Sequence, residues 1–165
     1  MQKNINKGVV LAIPVVVASA LMLMAPMLAS AQSPHFISGS ADTDNKGNLV
    51  CTFKEAGLGN LPTGTEVDIT CSASASAEYQ CVNRGGNNPQ AENKHTETGT
   101  VTGTGSFPVG SNGQVKGSIT VDAPGPGDFS CPNGQRLTLV SATYTDITVT
   151  GPEDSSRSLG SASFP

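Results

Sequence analysis

One segment of the chain, from Val67 to Cys81, constrains the fold more than any other. Every second residue of this segment is uncharged and mostly apolar: Val67, Ile69, Cys71, Ala73, Ala75, Ala77, Tyr79 and Cys81. The residues between them are polar: Asp68, Thr70, Ser72, Ser74, Ser76, Glu78 and Gln80. A helical period near 3.6 would scatter the apolar set around the axis, whereas a strand places it on one face. The segment therefore predicts a long β-strand with one buried face and one solvated face.

Shorter alternating segments recur along the chain between Gly, Pro and Asn residues, and no long amphipathic helix pattern interrupts them. Strands are predicted at 35–40, 49–54, 98–109, 114–121 and 137–149, with a loop at 56–65. About six or seven short strands are typical of a sandwich. The predicted fold is all-β, an antiparallel, immunoglobulin-like sandwich of two sheets.

The first 31 residues have the pattern of a signal peptide. Lys3 and Lys7 precede an uncharged run that ends in Ala29-Ser30-Ala31, with small residues at the positions that signal peptidase reads. We therefore predict a signal peptide at 1–31, a sandwich domain at 32–150 and a protein that is secreted or held at the cell surface. Beyond Gly151 the alternation is lost, which predicts a flexible C-terminal tail at 151–165.

A second hypothesis concerns the same N-terminal segment. The apolar run Val9–Leu28 is 20 residues long, enough to cross a bilayer if it is retained. Lys7-Gly8 is similar to a prepilin cleavage site, after which the apolar helix would polymerise into a pilin-like filament. Ile13 stands where such helices usually carry an acidic residue. Membrane contact is expected only through this segment, if it is not cleaved.

The charge of the mature chain argues against nucleic acid as a partner. Without Lys3 and Lys7, seven of the nine Lys and Arg residues face all 13 Asp and Glu residues, so the net charge is near −6. Such a surface repels phosphate backbones.

The four cysteines predict two disulfides, because their number is even and the chain is exported. No Cys-x-x-Cys pair is present, so a zinc site is disfavoured and no metal is expected. Cys71 and Cys81, at the ends of one strand, would lie about 33 Å apart and could not bond. A hairpin folded near Leu61 would set Cys51 opposite Cys71. The predicted bonds are Cys51–Cys71 and Cys81–Cys131.

The second bond would bring the polar segment 82–95 beside 123–128 and 132–136, at one end of the sandwich. Sandwiches often bind partners through loops that share an end. The candidate partner-binding residues are Asn83, Arg84, Asn87, Asn88, Lys94, His95 and Arg136. The alternative interpretation is that Gly, Asn and Pro only turn the chain there and that the disulfide holds the loops.

No motif predicts a catalytic residue or a cofactor. Asp42–Leu49 is similar to the first half of a calcium loop, but Lys46 and Phe53 stand where acidic ligands belong, so a turn is favoured. His35 and His95 are the only histidines, and no Gly-x-Ser-x-Gly motif accompanies them. A small secreted hydrolase stays an alternative, because catalytic triads are defined by geometry.

Three cysteine motifs carry a resemblance to known proteins: Cys51-Thr-Phe-Lys-Glu-Ala-Gly-Leu-Gly, Cys81-Val-Asn-Arg-Gly-Gly-Asn-Asn-Pro and Cys131-Pro-Asn-Gly-Gln. They resemble a group of small secreted proteins from bacteria and archaea whose function is unassigned, over a region from about Leu49 to Val149. The resemblance implies that the pair at 81 and 131 is the more common disulfide of the group. It implies no ligand and no catalytic residue.

Export, disulfides and adjoining loops together favour a secreted or cell-surface domain without catalysis. We expect it to bind an extracellular protein or a surface polymer, or to add to an extracellular layer.

Overall fold

The structure, a computed structural model, describes residues 33–85 and 93–165. The predicted signal peptide at 1–31 and the alternative pilin-like helix lie outside the described residues, as do Asn87 and Asn88. Within the two described ranges, no helix is long and apolar enough to cross a membrane.

Seven β-strands build the described part of the chain. They are β1 (His35–Thr43), β2 (Leu49–Ala56), β3 (Glu66–Val82), β4 (Lys94–Pro108), β5 (Val115–Val121), β6 (Arg136–Thr150) and β7 (Ser156–Phe164). The first sheet has the order β1-β2-β5 and the second has the order β4-β3-β6-β7. All neighbouring strands are antiparallel, which confirms the predicted two-sheet sandwich.

The strand order is that of an immunoglobulin-like sandwich in which one strand has changed sheets. In the constant-type immunoglobulin order, the fourth strand lies beside the fifth in the first sheet. Here β4 lies beside β3 in the second sheet. As a result, β5 is an edge of the first sheet and β4 is an edge of the second.

β3 is an inner strand of the second sheet, and its burial follows the predicted alternation. The odd-numbered side chains from Val67 to Cys81 expose at most 9% of their surface, whereas Ser74 on the other face is exposed. Three of the eight inward side chains of β3 are alanines, so the opposite sheet must supply larger core residues. Leu49 and Phe53 of β2 do so, and both are buried in the same core.

The predicted hairpin between the segments around Cys51 and Cys71 is wrong, although the predicted bond is confirmed. β2 pairs with β1 and β5, while β3 pairs with β4 and β6 in the other sheet. The disulfide crosses the core between the two sheets, with Cα atoms 6.4 Å apart. Both cysteines are fully buried. Their alternation places each on an inward face, and the inward faces of stacked sheets meet across the core.

The predicted flexible tail at 151–165 is also wrong, because β7 lies there and pairs with β6. Leu159, Ala162 and Phe164 pack against the core. Gly160 between them has a φ of 83°, and the register with β6 is irregular nearby. A bulge of this kind shifts the side-chain period by one residue and hides the strand from a search for alternation. The sandwich domain predicted at 32–150 therefore extends to Phe164.

Aromatic rings join the two sheets where side chains are otherwise small. The Phe53 ring makes edge-to-face contacts with Phe36 and Phe107, with ring centroids 6.1 and 5.0 Å away. A Cβ atom on Gly117 would lie 2.2 Å from the Phe107 ring. Glycine in β5 thus leaves the space that Phe107 of β4 occupies over the core.

A buried tyrosine ties the second sheet to the β1–β2 turn. Tyr144 in β6 is fully buried, and its hydroxyl donates a hydrogen bond of 2.6 Å to the carbonyl oxygen of Gly47. Burial raises the pKa of Tyr144 to about 12, so the phenol stays protonated and keeps donating.

Candidate functional site

The Cys81–Cys131 disulfide joins the end of β3 to the segment that precedes β6, as predicted. The two Cα atoms are 5.5 Å apart. Val82 at the end of β3 pairs directly with Arg136 at the start of β6. The chain that leaves β3 and the chain that enters β6 therefore lie side by side at one end of the sandwich.

A groove of about 660 Å³ opens between these two segments. On one side the chain turns after β3, where the backbone N–H of Gly85 donates to the Asn83 side chain at 3.0 Å. On the other side the backbone N–H of Gln135 donates to the Pro132 carbonyl at 3.1 Å. The described residues that line the groove are Val82, Asn83, Arg84, Gly85, Gly134, Gln135 and Arg136.

The described lining of the groove is positively charged, in contrast to the chain as a whole. Arg84 and Arg136 both line it and both are exposed. None of its described lining residues is acidic. Two of the seven Lys and Arg residues that follow residue 31 thus face one cavity, on a chain that carries 13 Asp and Glu residues.

Two hydrogen bonds hold the long β5–β6 connection against β3 and against Asn93, the residue before β4. The Tyr79 hydroxyl on β3 donates to the Pro124 carbonyl oxygen at 2.6 Å. Burial raises the pKa of Tyr79, which keeps the hydroxyl available as a donor. The Asn93 amide donates to the Gln135 side-chain oxygen at 3.3 Å. The groove wall is therefore supported by polar contacts as well as by the disulfide.

The two remaining described candidates, Lys94 and His95, lie at the start of β4 and have acidic partners. The Lys94 ammonium is 3.7 Å from a Glu78 carboxylate oxygen. His95 Nε2 is 2.9 Å from a Glu97 carboxylate oxygen. The His95 ring also stacks on Phe129, with centroids 5.2 Å apart and planes 20° apart. Neither residue lines the groove. The sequence analysis placed Lys94 and His95 with the two arginines, whereas the structure brings only the arginines to the groove.

Of the predicted candidates, Asn83, Arg84 and Arg136 thus share the groove, while Asn87 and Asn88 lie outside the described residues. Sequence reasoning missed Phe129, which sits beside the histidine. A single aromatic residue in a Gly- and Pro-rich loop two positions before Cys131 was the available signal. It could not reveal the partner ring, because that contact spans two elements distant in sequence.

The segment similar to a calcium loop is a turn, as favoured from the sequence. One Asp44 carboxylate oxygen accepts from the backbone N–H groups of Lys46 and Asn48 at 2.8 and 2.9 Å. The other oxygen accepts from the Asn48 amide at 3.0 Å. Burial opposes ionisation of Asp44, but the hydrogen bonds from Asn48 and Lys46 outweigh it and lower the pKa. In the described ranges, no group of three or more His, Cys, Asp or Glu residues could hold a metal ion.

A second groove, of about 420 Å³, lies near the other end of β4. Lys54 of β2 and Lys116 of β5 both line it, and the two residues are direct partners in the antiparallel register. No disulfide bounds this second groove. Lys54 and Lys116 therefore provide control positions for variants of Arg84 and Arg136.

No protein-family model, no curated protein and no solved structure matches the chain. The resemblance of the cysteine motifs to small secreted proteins stays a prediction. Any function must therefore be argued from the groove and its charges.

Proposed function

We propose that the protein is a non-catalytic binding domain that works outside the cytoplasm, secreted or at the cell surface. Its groove between Arg84 and Arg136 takes an anionic group carried by an extracellular protein or a surface polymer. The observation that carries the proposal is the convergence of two exposed arginines on one groove without an acidic neighbour in its described lining.

Arginine suits this role because its planar guanidinium donates two parallel hydrogen bonds to a carboxylate, sulfate or phosphate group. The volume of about 660 Å³ lies within the range of pockets that hold small ligands. The second groove also carries two cations, Lys54 and Lys116, without an acidic residue in its described lining. The preference for the first groove therefore rests on the bidentate hydrogen bonds of arginine and on walls held by a disulfide.

Export is supported by the signal-peptide pattern and by the disulfides. Two disulfides are compatible with an extracellular protein, since they form and persist in oxidising compartments. The Cys81–Cys131 bond also holds both walls of the groove before any ligand binds, which lowers the entropic cost of binding.

The test is retention of the exported, purified protein on two immobilised polyanions. Polygalacturonate represents a carboxylated surface polymer and polyglutamate represents an acidic protein, with dextran as the uncharged matrix. The double variant Arg84→Ser with Arg136→Ser should bind at least tenfold more weakly than the natural chain, as expected for charge-assisted hydrogen bonds. Preference between the two polyanions identifies the partner class.

Lys54→Ser with Lys116→Ser is the matched control, because it removes the two positive charges of the second groove. It should leave retention within about twofold. Equal retention of the natural chain and the double arginine variant would contradict the proposal, as would a loss from the double lysine variant as large as that from the double arginine variant.

The hydrolase alternative has its own test, since His95 is held by Glu97 and Phe129. A screen with ester, amide and glycoside substrates should give no turnover that His95→Ala abolishes. Such a turnover would replace the binding proposal with a catalytic one.

A further inference from the structure

The sandwich has four edge strands, and their protection differs. β1 and β5 are the edges of the first sheet, and β4 and β7 are the edges of the second. An edge strand presents unpaired backbone N–H and C=O groups that can pair with another chain. Proteins normally protect such edges with charges, prolines, bulges, short length or a covering segment.

Three of the four edges carry such protection. β1 and β7 lie against each other, with the Thr43 hydroxyl donating to the Ser163 carbonyl at 3.2 Å and the Arg157 guanidinium donating to the Phe36 carbonyl at 3.3 Å. Both strands also have register irregularities with their neighbours. β5 has only seven residues, and the second of them is the charged Lys116.

β4 lies against β5 of the first sheet, but its edge has no bulge, short length or central charge. It has 15 residues, and its register with β3 runs without a bulge from Lys94 to Pro108. No charged residue occurs between Thr98 and Phe107, and the only proline is the last residue of the strand. Among the strands of residues 33–85 and 93–165, β4 has β3 on one side and none on the other.

The outward face of β4 is a row of exposed hydroxyl residues: Thr96, Thr98, Thr100, Thr102, Thr104 and Ser106. The centre of the strand, from Thr98 to Thr104, reads Thr-Gly-Thr-Val-Thr-Gly-Thr. This sequence is a palindrome about Val101. An antiparallel pair of identical strands sets residue i opposite j and j opposite i, as a two-fold interface does. The palindrome adds that each opposed pair in the centre is a like pair, threonine against threonine and glycine against glycine.

We infer that two copies of the chain pair through β4, antiparallel and centred on Val101. Thr100 of each copy then lies opposite Thr102 of the other, and Thr98 lies opposite Thr104. The second sheets of the two copies join into one sheet of eight strands. Cross-strand threonine pairs stabilise antiparallel sheets, and the new backbone hydrogen bonds satisfy the free edge.

The charged start of β4 agrees with this register. Lys94 lies opposite Pro108, and Glu97 lies opposite Gly105, when the pair is centred on Val101. No residue of like charge faces another along the 15 residues of the strand. A second copy therefore fits the edge over its full length without electrostatic repulsion.

The experiment is sedimentation velocity over a concentration series of the exported, purified protein. The natural chain should show a reversible monomer–dimer equilibrium. The double variant Thr100→Lys with Thr102→Lys sets introduced lysines opposite one another and should weaken association at least tenfold. The double variant Thr100→Glu with Thr102→Glu should do the same, whereas an equimolar mixture of the two variants should associate again through opposite charges.

The matched control is Ser72→Lys with Ser74→Lys on β3, where Ser72 and Ser74 are the register partners of Thr102 and Thr100. It adds the same charges to the same face one strand inward, so it should leave the dimer intact. A natural chain that stays monomeric throughout the series would overturn the inference. So would a lysine variant that dimerises like the natural chain, or a control that weakens association as much as the β4 variant does.

Discussion

Glu55 is the one charged residue that the described part of the chain buries completely. One carboxylate oxygen accepts a hydrogen bond from the Ser155 hydroxyl, and the other is buried without a partner among the described residues. A Cβ atom on Gly151 would lie 2.7 Å from that second oxygen, so glycine leaves room for the carboxyl group. Burial raises the pKa of Glu55, although Ser155 and His35 act in the opposite direction.

This burial predicts a pH dependence of stability. A glutamate whose pKa is raised in the folded state makes its full contribution to the free energy of unfolding at pH values below its ordinary pKa of 4.5. That contribution is lost as the pH rises through the pKa of the folded state. Glu55→Gln removes the charge and keeps an acceptor for Ser155. We expect the variant to be more stable than the natural chain by about 1–3 kcal/mol at pH 8, and equal to it at pH 4.

Urea unfolding at both pH values measures the difference, with Glu66→Gln at the exposed start of β3 as the control. The control should match the natural chain at both. A gain from Glu55→Gln of the same size at pH 4 and pH 8 would show that the buried charge is not its cause.

The sequence pattern predicts the burial of Glu55 but not its contact with Ser155. Leu49, Cys51, Phe53 and Glu55 share the same parity, so the alternation of β2 already directs Glu55 inward. The hydroxyl of Ser155 is 100 residues away in the chain, and no local pattern places it beside the carboxyl group. Parity predicts which face a side chain takes, whereas a contact across the core depends on how the sheets stack.

At the scale of strands and sheets, the same limit of side-chain parity explains why the Cys51–Cys71 bond was predicted but its place between two sheets was not. Parity directs Cys51 and Cys71 inward, and that was sufficient to predict their bond but not to distinguish a hairpin from two facing sheets. β7 was missed because Gly160 shifts its alternation. The long regular strand β3, in contrast, was predicted almost to its ends. For the candidate site, the distance between Cys71 and Cys81 along one strand led to the Cys81–Cys131 bond and so predicted that the two segments meet. The shape of the groove between them is seen only in the structure.

The two disulfides should contribute differently to stability and to binding. Chain-entropy estimates for loops of 20 and 50 residues are about 3 and about 4 kcal/mol. Cys51 and Cys71 are both fully buried, so replacing them with alanine also leaves a cavity between the sheets. We expect Cys51→Ala with Cys71→Ala to lower the free energy of unfolding more than Cys81→Ala with Cys131→Ala, despite the shorter loop.

Binding should show the opposite order. At a temperature where both variants are folded, the variant without the Cys81–Cys131 bond should lose retention on the polyanion, because the groove walls separate. The variant without the core bond should retain it. If both variants lose retention equally while folded, the disulfide does not organise the groove.

At the scale of the whole molecule, the account depends on export. We expect the mature protein to begin at Gln32, three residues before β1 starts at His35. Mass spectrometry of the amino-terminal peptide of the protein outside the cell should give a peptide that begins at Gln32, free or cyclised. A mature chain that begins at Val9 would instead support the pilin-like hypothesis, because the apolar run would be retained.

The proposed binding groove and the proposed β4 interface lie on different parts of the molecule. The groove is bounded by the turn after β3 and the start of β6, whereas the palindrome Thr98–Thr104 occupies the middle of an edge strand. A dimer through β4 would present two grooves. Two sites on one particle raise the apparent affinity for a polymer without any new contact, provided that the polymer reaches both.

The most direct measurement of the central claim is an NMR titration of the ¹⁵N-labelled protein with a short oligomer of galacturonic acid, followed through backbone amide shifts. The account predicts saturable shifts centred on Arg84, Gly85, Gly134 and Gln135, lost when Arg84 and Arg136 are both replaced by serine. Shifts centred instead on Lys54 and Lys116, or no saturable shifts with either this ligand or a glutamate oligomer, would contradict it.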